Sequence, residues 1–145
     1  MALGRRKLLL VGGGVVCAHA IGCGGSPPIV LDKVIDAGNA STIAVDTLRA
    51  VSGKSVAIAR DSGGIYAMSL VCTHQGCDIS TSQGGSVSFS ILHCGCHGSE
   101  YNNQGQVLLG PASSPLPHLL VTKDAANELT IHGDTVVLAT DRLPA

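Results

Sequence analysis

Two short stretches rich in cysteine and histidine constrain the fold of this chain most. Residues 72–80 read CTHQGCDIS and residues 93–101 read HCGCHGSEY, so together they hold four cysteines and three histidines. Sulfur and imidazole groups this close in sequence indicate either disulfides or a metal site, and both need the two stretches to lie side by side. The rest of the chain must therefore form a scaffold that brings two loops together.

The composition limits what that scaffold can be. The chain has 145 residues, which is enough for one domain, and it contains one Phe, two Tyr and no Trp. Its core must therefore be built from aliphatic side chains, and its 19 glycines indicate many turns and few long helices. The formal net charge is −1, with no basic run beyond the first few residues, so no nucleic-acid partner is predicted.

Short segments of alternating apolar and polar residues predict strands. Residues 55–71 form two apolar arms joined by a turn at 61–64, which is typical of a β-hairpin. Residues 86–92 alternate strictly and predict a single strand. Further short strands are predicted within residues 29–48 and 118–139. No helical period is sustained, so we expect an all-β fold, a small antiparallel sandwich or barrel that carries the two Cys/His loops.

The first 26 residues have the layout of an export signal. Arg5, Arg6 and Lys7 precede an apolar stretch, and the adjacent arginines are typical of a twin-arginine signal. The residues AIGC that end at Cys23 resemble a lipoprotein box, in which Cys23 would be lipidated; an uncleaved membrane anchor is the alternative. Either way, the domain at residues 27–145 is predicted to be exported and membrane-attached, on the periplasmic or extracytoplasmic face.

The four cysteines that follow the signal allow three readings. Two disulfides suit an exported domain, and because Cys94 and Cys96 are too close in sequence to pair without strain, both bonds would have to join the loops. That reading leaves the histidines unexplained. Zinc accepts two Cys and two His, so a zinc- or disulfide-stabilised exported binding module is the non-redox alternative. Two Cys and two His are also the ligands of a Rieske [2Fe–2S] centre.

The two motifs resemble those of Rieske iron–sulfur proteins, of the high-potential kind found in cytochrome bc complexes. The resemblance rests on residues 72–77 (CTHQGC) and 94–101 (CGCHGSEY) and extends more weakly over about residues 40–140. It implies a [2Fe–2S] cluster between a first loop (residues 72–78) and a second loop (residues 94–101). The implied iron ligands are Cys72 and Cys94 on one iron and His74 and His97 on the other. The resemblance also implies a disulfide between Cys77 and Cys96.

Further residues take roles by the same resemblance. Ser99 and Tyr101 would donate hydrogen bonds to cluster sulfurs, which raises the reduction potential. Residues 110–117, with Gly110, Pro111 and Pro115, resemble the proline loop that covers the cluster in the family. Two imidazoles in place of two thiolates leave the cluster less negative, so potentials of about −150 to +300 mV are expected.

The chain departs from the family pattern at two places. Gly95 stands where proline is usual, which predicts a looser second loop. The segment from Asp78 to His93 is a few residues longer than is common, which predicts an extended turn, and Asp78 itself is expected to be a solvated charge at the loop edge.

The resemblance implies an electron carrier that depends on a redox partner and has no catalytic residues of its own. The lipobox-like Cys23 and a short linker favour a stand-alone exported carrier. One alternative is the Rieske subunit of a cytochrome bc-type quinol–cytochrome c oxidoreductase, with cytochrome b or c as partner and quinol as substrate. Another is the small subunit of a molybdenum oxidase such as arsenite oxidase.

Overall fold

The computed structural model describes residues 28–145, so the predicted export signal and Cys23 lie outside the described residues. The described part contains ten β-strands in two antiparallel sheets and a single 3-10 helix at Ala40–Thr42. The all-β prediction is therefore confirmed. Within residues 28–145, no helix is both long enough and apolar enough to cross a bilayer.

The larger sheet has six strands in the order β1-β10-β9-β4-β3-β2. These strands are β1 (Ile35–Asn39), β2 (Thr47–Ala50), β3 (Val56–Asp61), β4 (Gly64–Ser69), β9 (His118–Lys123) and β10 (Glu128–Val137). The hairpin predicted within residues 55–71 is β3–β4, in which Asp61 pairs with Gly64 across a two-residue turn. That hairpin prediction is confirmed.

Strands β3 and β4 are buried on both faces, which explains why they read as nearly continuous apolar runs. On one face, Val56 and Ile58 join side chains of β1, β9 and β10 in a core enclosed by the large sheet. On the other face, Tyr66 and Met68 join a second core that contains the Cys/His loops. One sheet therefore supports its own core and the loops at the same time.

Both Cys/His loops lie in one insertion between β4 and β9, residues 70–117, which we call the inserted subdomain. Its four short strands are β5 (Ser86–Val87), β6 (Leu92–His93), β7 (Glu100–Tyr101) and β8 (Val107–Leu109), in the order β5-β6-β7-β8. The two ends of the insertion are held together because β4 and β9 pair directly, Ala67 with Leu119 and Met68 with His118. The pairing of β4 with β9 thus brings the two ends of the inserted subdomain together, and both Cys/His loops lie between those ends.

The prediction of a single strand over residues 86–92 is wrong, because this segment turns back on itself. Val87 of β5 pairs with Leu92 of β6. The Ser88 N–H donates to the Ile91 carbonyl oxygen at 3.0 Å, and the Ser88 hydroxyl donates to the same oxygen at 2.8 Å while accepting from the Ile91 N–H. A serine side chain thus closes a turn that neither glycine nor proline marks in the sequence.

Candidate metal centre

The first loop is a compact backbone turn closed by two hydrogen bonds. The Cys72 N–H donates to the Cys77 carbonyl oxygen at 2.8 Å, and the Gly76 N–H donates to the Cys72 carbonyl oxygen at 2.8 Å. Gly76 has a φ of +77°, a left-handed conformation that glycine adopts without the strain a β-carbon adds. The glycine of the CTHQGC motif is therefore needed for the backbone of the loop.

The second loop repeats this geometry. The Cys94 N–H donates to the Ser99 carbonyl oxygen at 2.9 Å, the Gly98 N–H donates to the Cys94 carbonyl oxygen at 2.9 Å, and Gly98 has a φ of +79°. In each loop the cysteine that begins the turn keeps its thiol inside. The two motifs thus share one backbone turn, closed by two hydrogen bonds and a left-handed glycine, which we call the frame. Their sequences match only partly.

The four described cysteines divide into one disulfide and two free thiols. Cys77 and Cys96 are joined, with their Cα atoms 6.6 Å apart, whereas Cys72 and Cys94 are free and buried. The sulfur of Cys94 lies within 4.8 Å of both disulfide sulfurs. Because a disulfide sulfur is not a thiolate, this group of three sulfurs is not by itself a ligand set, and the available sulfur donors are Cys72 and Cys94.

The two motif histidines face each other. The rings of His74 and His97 are 4.8 Å apart and nearly perpendicular. The Nδ1 atom of His74 is buried and has no hydrogen-bond partner, one of two such side-chain atoms in residues 28–145. A buried ring nitrogen without a partner is costly unless something completes it, so this atom is a candidate metal donor. His97 is exposed.

The surroundings of the two thiols have opposite effects on acidity. Burial raises the pKa of the Cys72 thiol. Hydrogen bonds from the Tyr101 hydroxyl, the His74 backbone, the Cys94 thiol and the Ser99 side chain outweigh burial, so the net pKa is lowered. The distance from the Tyr101 hydroxyl oxygen to the Cys72 sulfur is 3.2 Å. The pKa of the Cys94 thiol is raised, first by burial and then by the adjacent Cys72 thiol. The Cys72 thiol is therefore more readily deprotonated than the Cys94 thiol.

Tyr101 is placed to act as a hydrogen-bond donor. It is fully buried, and burial, followed by the hydrogen bond with Cys72, raises its pKa to about 12. The phenol therefore stays protonated at neutral pH. Its oxygen also accepts from the Thr73 N–H at 3.2 Å, which fixes its position beside the first loop.

The proline segment, residues 110–117, is tied to both loops. The Ala112 N–H donates to the Ser99 hydroxyl oxygen at 3.0 Å, and the Thr73 hydroxyl donates to the Ser114 carbonyl oxygen at 2.6 Å. The predicted covering residues Gly110, Pro111 and Pro115 are exposed in this segment, and the Gly110–Pro111 peptide bond is cis. The tie through Thr73 was missed by the sequence analysis, although a hydroxyl inside a ligand motif could have suggested it.

The predictions made for two single residues, Gly95 and Asp78, differ from the structure. Gly95 does not loosen the second loop, because its N–H donates to the Ser82 hydroxyl oxygen at 3.0 Å. Asp78 is half-buried rather than solvated, and its carboxylate accepts hydrogen bonds from the hydroxyls of Ser55 and Ser80. The Gly95–Ser82 and Asp78–Ser55 contacts join residues that are 13 and 23 positions apart in the sequence.

The available donors fit the ligand set of a [2Fe–2S] centre with two thiolates and two imidazoles. The structure offers two buried free thiols on facing loops, one buried and unpaired imidazole nitrogen, and a second imidazole against it. The same donors would satisfy zinc, so the geometry alone does not separate the two.

Comparison with known proteins favours the [2Fe–2S] centre over zinc. A sequence model of the Rieske [2Fe-2S] domain matches residues 33–140. The cytochrome b6-f complex iron-sulfur subunit of Synechococcus sp. (strain JA-3-3Ab) is 32% identical over 120 residues, which is 80% of this chain and 63% of that protein. The corresponding subunit of Synechococcus elongatus is 34% identical over 116 residues, 78% of this chain and 60% of that one. The chain thus spans about three-fifths of the length of these relatives.

A solved structure shares the fold. A chain from the complex of reduced oxygenase and oxidized ferredoxin in carbazole 1,9a-dioxygenase superposes with a TM-score of 0.50 at 23% identity, covering 73% of this chain and 97% of that chain. A likeness at this level of identity concerns the arrangement of strands and loops alone.

Proposed function

Because the chain belongs to the Rieske [2Fe-2S] domain family, we propose that it carries single electrons for a partner protein, with the cluster held by Cys72, His74, Cys94 and His97. A bound cluster of this type supplies one-electron redox chemistry at about −150 to +300 mV. The observation that carries the proposal is the pair of free, buried thiols on two loops of equal frame, beside the facing imidazoles.

The side chains around the thiols favour the reduced state. The Tyr101 hydroxyl lies 3.2 Å from the Cys72 sulfur, and Ser99 is fully buried beside the same thiol. Both hydroxyls can donate to an electron-rich sulfur, and a donor that bonds more strongly after an electron arrives raises the reduction potential. These two residues therefore tune the site without binding iron.

The site has a closed end and an open end. Cys72 and Cys94 are 3% and 1% exposed, whereas His74 is half-buried and His97 is exposed. Water is excluded at the sulfur end, and a partner protein can approach closest at the imidazole end. We therefore place the docking of the redox partner at His74 and His97.

The proposal includes attachment to a membrane on the exported side. Its support is the signal-like sequence of residues 1–26 with Cys23, and the names of the two curated relatives, which are subunits of cytochrome b6-f complexes. A stand-alone carrier attached through this segment is the first candidate. A subunit of a quinol-oxidising cytochrome complex is the second candidate, and its support is that the two relatives are named as subunits of cytochrome b6-f complexes.

The mass of the mature chain and its companions in the membrane distinguish these candidates. A carrier attached by lipid would begin at Cys23 with an added lipid mass and would leave the membrane without cytochrome b. A complex subunit would copurify with cytochrome b after mild detergent extraction. Recovery of the chain in the cytoplasmic fraction with residues 1–26 intact would contradict export.

The cluster itself is tested by metal analysis and a matched pair of histidine variants. We expect about two irons and two acid-labile sulfides per chain, a red-brown colour and an electron paramagnetic resonance signal on reduction. His74→Ala should lose all three, whereas His132→Ala, which changes a histidine on β10, should retain them. A colourless protein that contains zinc, or a His74→Ala variant with the parent spectrum, would refute the assignment.

A further inference from the structure

The segment that follows the first loop returns to touch the second loop. Residues 78–85 end against Gly95, which lies between Cys94 and Cys96, and the Gly95 N–H donates to the Ser82 hydroxyl oxygen at 3.0 Å. Neither residue is a ligand in the proposed site. The contact therefore needs an explanation other than iron binding.

Gly95 is the residue that this contact requires. A β-carbon at position 95 would overlap the carbonyl oxygen of Gln83 and lie 2.6 Å from the backbone nitrogen of Gly85. Proline would add the same bulk and would also remove the N–H that Ser82 accepts. Glycine both leaves the space and supplies the donor, which accounts for its presence where the family usually has proline.

Ser82 is held in place from the other side. Ile79 is fully buried, and its N–H donates to the Leu70 carbonyl oxygen at 2.8 Å, next to the end of β4. The Ser82 N–H donates to the Asp78 carbonyl oxygen at 2.9 Å. The Asp78 carboxylate in turn accepts from the Ser55 hydroxyl at 2.5 Å. The serine is therefore tied to Ser55 and Leu70, which directly flank β3 and β4 of the large sheet.

We propose that Ser82 and Gly95 are positioning residues that form a second, noncovalent tie between the two loops, parallel to the Cys77–Cys96 disulfide. Cys77 directly precedes Asp78, where the segment begins, and Cys96 directly follows Gly95, which Ser82 of the segment contacts. Holding Gly95 in place keeps Cys96 opposite Cys77 even when the disulfide is open. The tie thus raises the effective concentration of the two thiols and resists reduction of the bond.

The consequence for the cluster rests on the proposed function, but the tie itself does not. With the disulfide open, the tie would keep Cys94 and His97 facing the first loop. The redox equilibrium of the disulfide can be measured whether or not iron is present, so failure of one proposal is distinguishable from failure of the other.

The test measures the thiol–disulfide equilibrium between the whole chain and dithiothreitol in its reduced and oxidised forms. The chain is used with whatever metal it contains after purification. One Cys77–Cys96 bond breaks and two protein thiols form, while the two thiols of dithiothreitol are oxidised to its cyclic disulfide. Acid quenching, alkylation and peptide mass spectrometry give the reduced fraction. Ser82→Ala removes the hydrogen bond from the Gly95 N–H and a long one, 3.4 Å, to the Ile79 carbonyl oxygen. Loss of the first should shift this equilibrium toward the open form by about fivefold. Gly95→Pro should shift it further.

Two control variants separate positioning from general stability. Ser88→Ala removes a hydroxyl from the same inserted subdomain. That hydroxyl closes the turn to Ile91 and does not contact the second loop. Gln83→Ala keeps the backbone carbonyl that faces Gly95. Both should keep the parent exchange constant, even if Ser88→Ala lowers the thermal midpoint.

A further variant keeps the test decisive if Gly95→Pro does not fold. Gly95→Ala retains the N–H and adds one methyl group, which should displace Gln83 and open the same contact. Exchange constants of Ser82→Ala and Gly95→Ala within twofold of the parent would overturn the proposal. A shift of equal size in Ser88→Ala would also overturn it, because the effect would then be one of overall stability.

Discussion

Residues 72–77 and 94–99 close through the same two backbone hydrogen bonds, yet their surroundings differ. In the first loop, Cys72 receives a hydrogen bond from Tyr101, and the pKa of its thiol is lowered. In the second loop, the pKa of Cys94 is raised, first by burial. His74 of the first loop is half-buried, whereas His97 of the second is exposed.

This difference shows which properties belong to the frame and which to the neighbours. The frame fixes where each thiol and each imidazole lies, and it is nearly identical in both loops. The charge that each thiol can carry depends on donors from other strands, above all Tyr101 on β7. Changes to the frame should therefore affect both loops alike, and changes to the neighbours should affect one.

Replacing either free thiol should have the largest effect, and that effect should be the same for the two loops. Cys72→Ser and Cys94→Ser should each abolish the visible absorbance completely, because a serine hydroxyl is a poor iron ligand and each loop supplies one of the two thiolates. Iron content and absorbance after reconstitution measure this. A chain that keeps full iron content with either serine would remove that cysteine from the ligand set.

Removing the disulfide tests how far the loops depend on their covalent tie. The double variant Cys77→Ser, Cys96→Ser should lower the free energy of unfolding by about 3 kcal/mol, as expected for opening a loop of this length. Urea unfolding followed by circular dichroism measures it. A loss below about 1 kcal/mol would show that residual structure already restricts the unfolded chain without the cross-link.

The two left-handed glycines test whether the frames are equal. An added β-carbon at Gly76 or Gly98 would meet no atom within 4 Å, so alanine there should cost only backbone strain. We expect Gly76→Ala and Gly98→Ala to destabilise the chain by the same amount, about 1–2 kcal/mol each. Costs that differ by more than 1 kcal/mol would show that the loops are strained unequally.

Removing one donor should change the first loop alone. Tyr101→Phe deletes the hydroxyl beside Cys72 and should lower the midpoint potential by about 40 mV, since a hydrogen bond of about 1 kcal/mol favours the reduced state. Redox titration of the holoprotein measures this change. Gln106→Ala, an exposed change on the adjacent turn, should leave the potential where it was.

The smallest expected effect concerns the other buried histidine nitrogen without a partner, Nδ1 of His118. Burial lowers the pKa of His118 in the folded state, so folding disfavours its protonation. This penalty is absent well above the unfolded pKa of about 6.5 and grows as the pH falls through that value. The stability lost between pH 7 and pH 6 is at most about 0.7 kcal/mol.

Urea unfolding at these two pH values checks the His118 prediction. His118→Gln should lose that part of the pH dependence, because glutamine does not titrate. Equal pH dependence in the parent chain and the variant would show that His118 finds a partner when it is protonated.

Much of the scaffold could be predicted because it is local. The β3–β4 hairpin shows in the sequence as two apolar arms around a glycine turn, and its register follows from that turn. Residues 86–92 were misread because strict alternation predicts strand but does not reveal a turn closed by the Ser88 side chain. The hydrogen bonds between Thr73 and Ser114 and between Ser82 and Gly95 were missed for a related reason. The position of a serine or threonine in the sequence does not indicate which distant residue its hydroxyl contacts.

The sequence by itself determined the donors: four cysteines and two suitably spaced histidines, on glycine turns between short strands. Spacing excluded only one cysteine pairing, and the family resemblance implied the rest. Which sulfurs are joined, which thiols stay free and how each is charged were decided by tertiary structure. The physical reason is that β4 pairs with β9 and closes the inserted subdomain, so contacts between the loops depend on distances that no local pattern encodes.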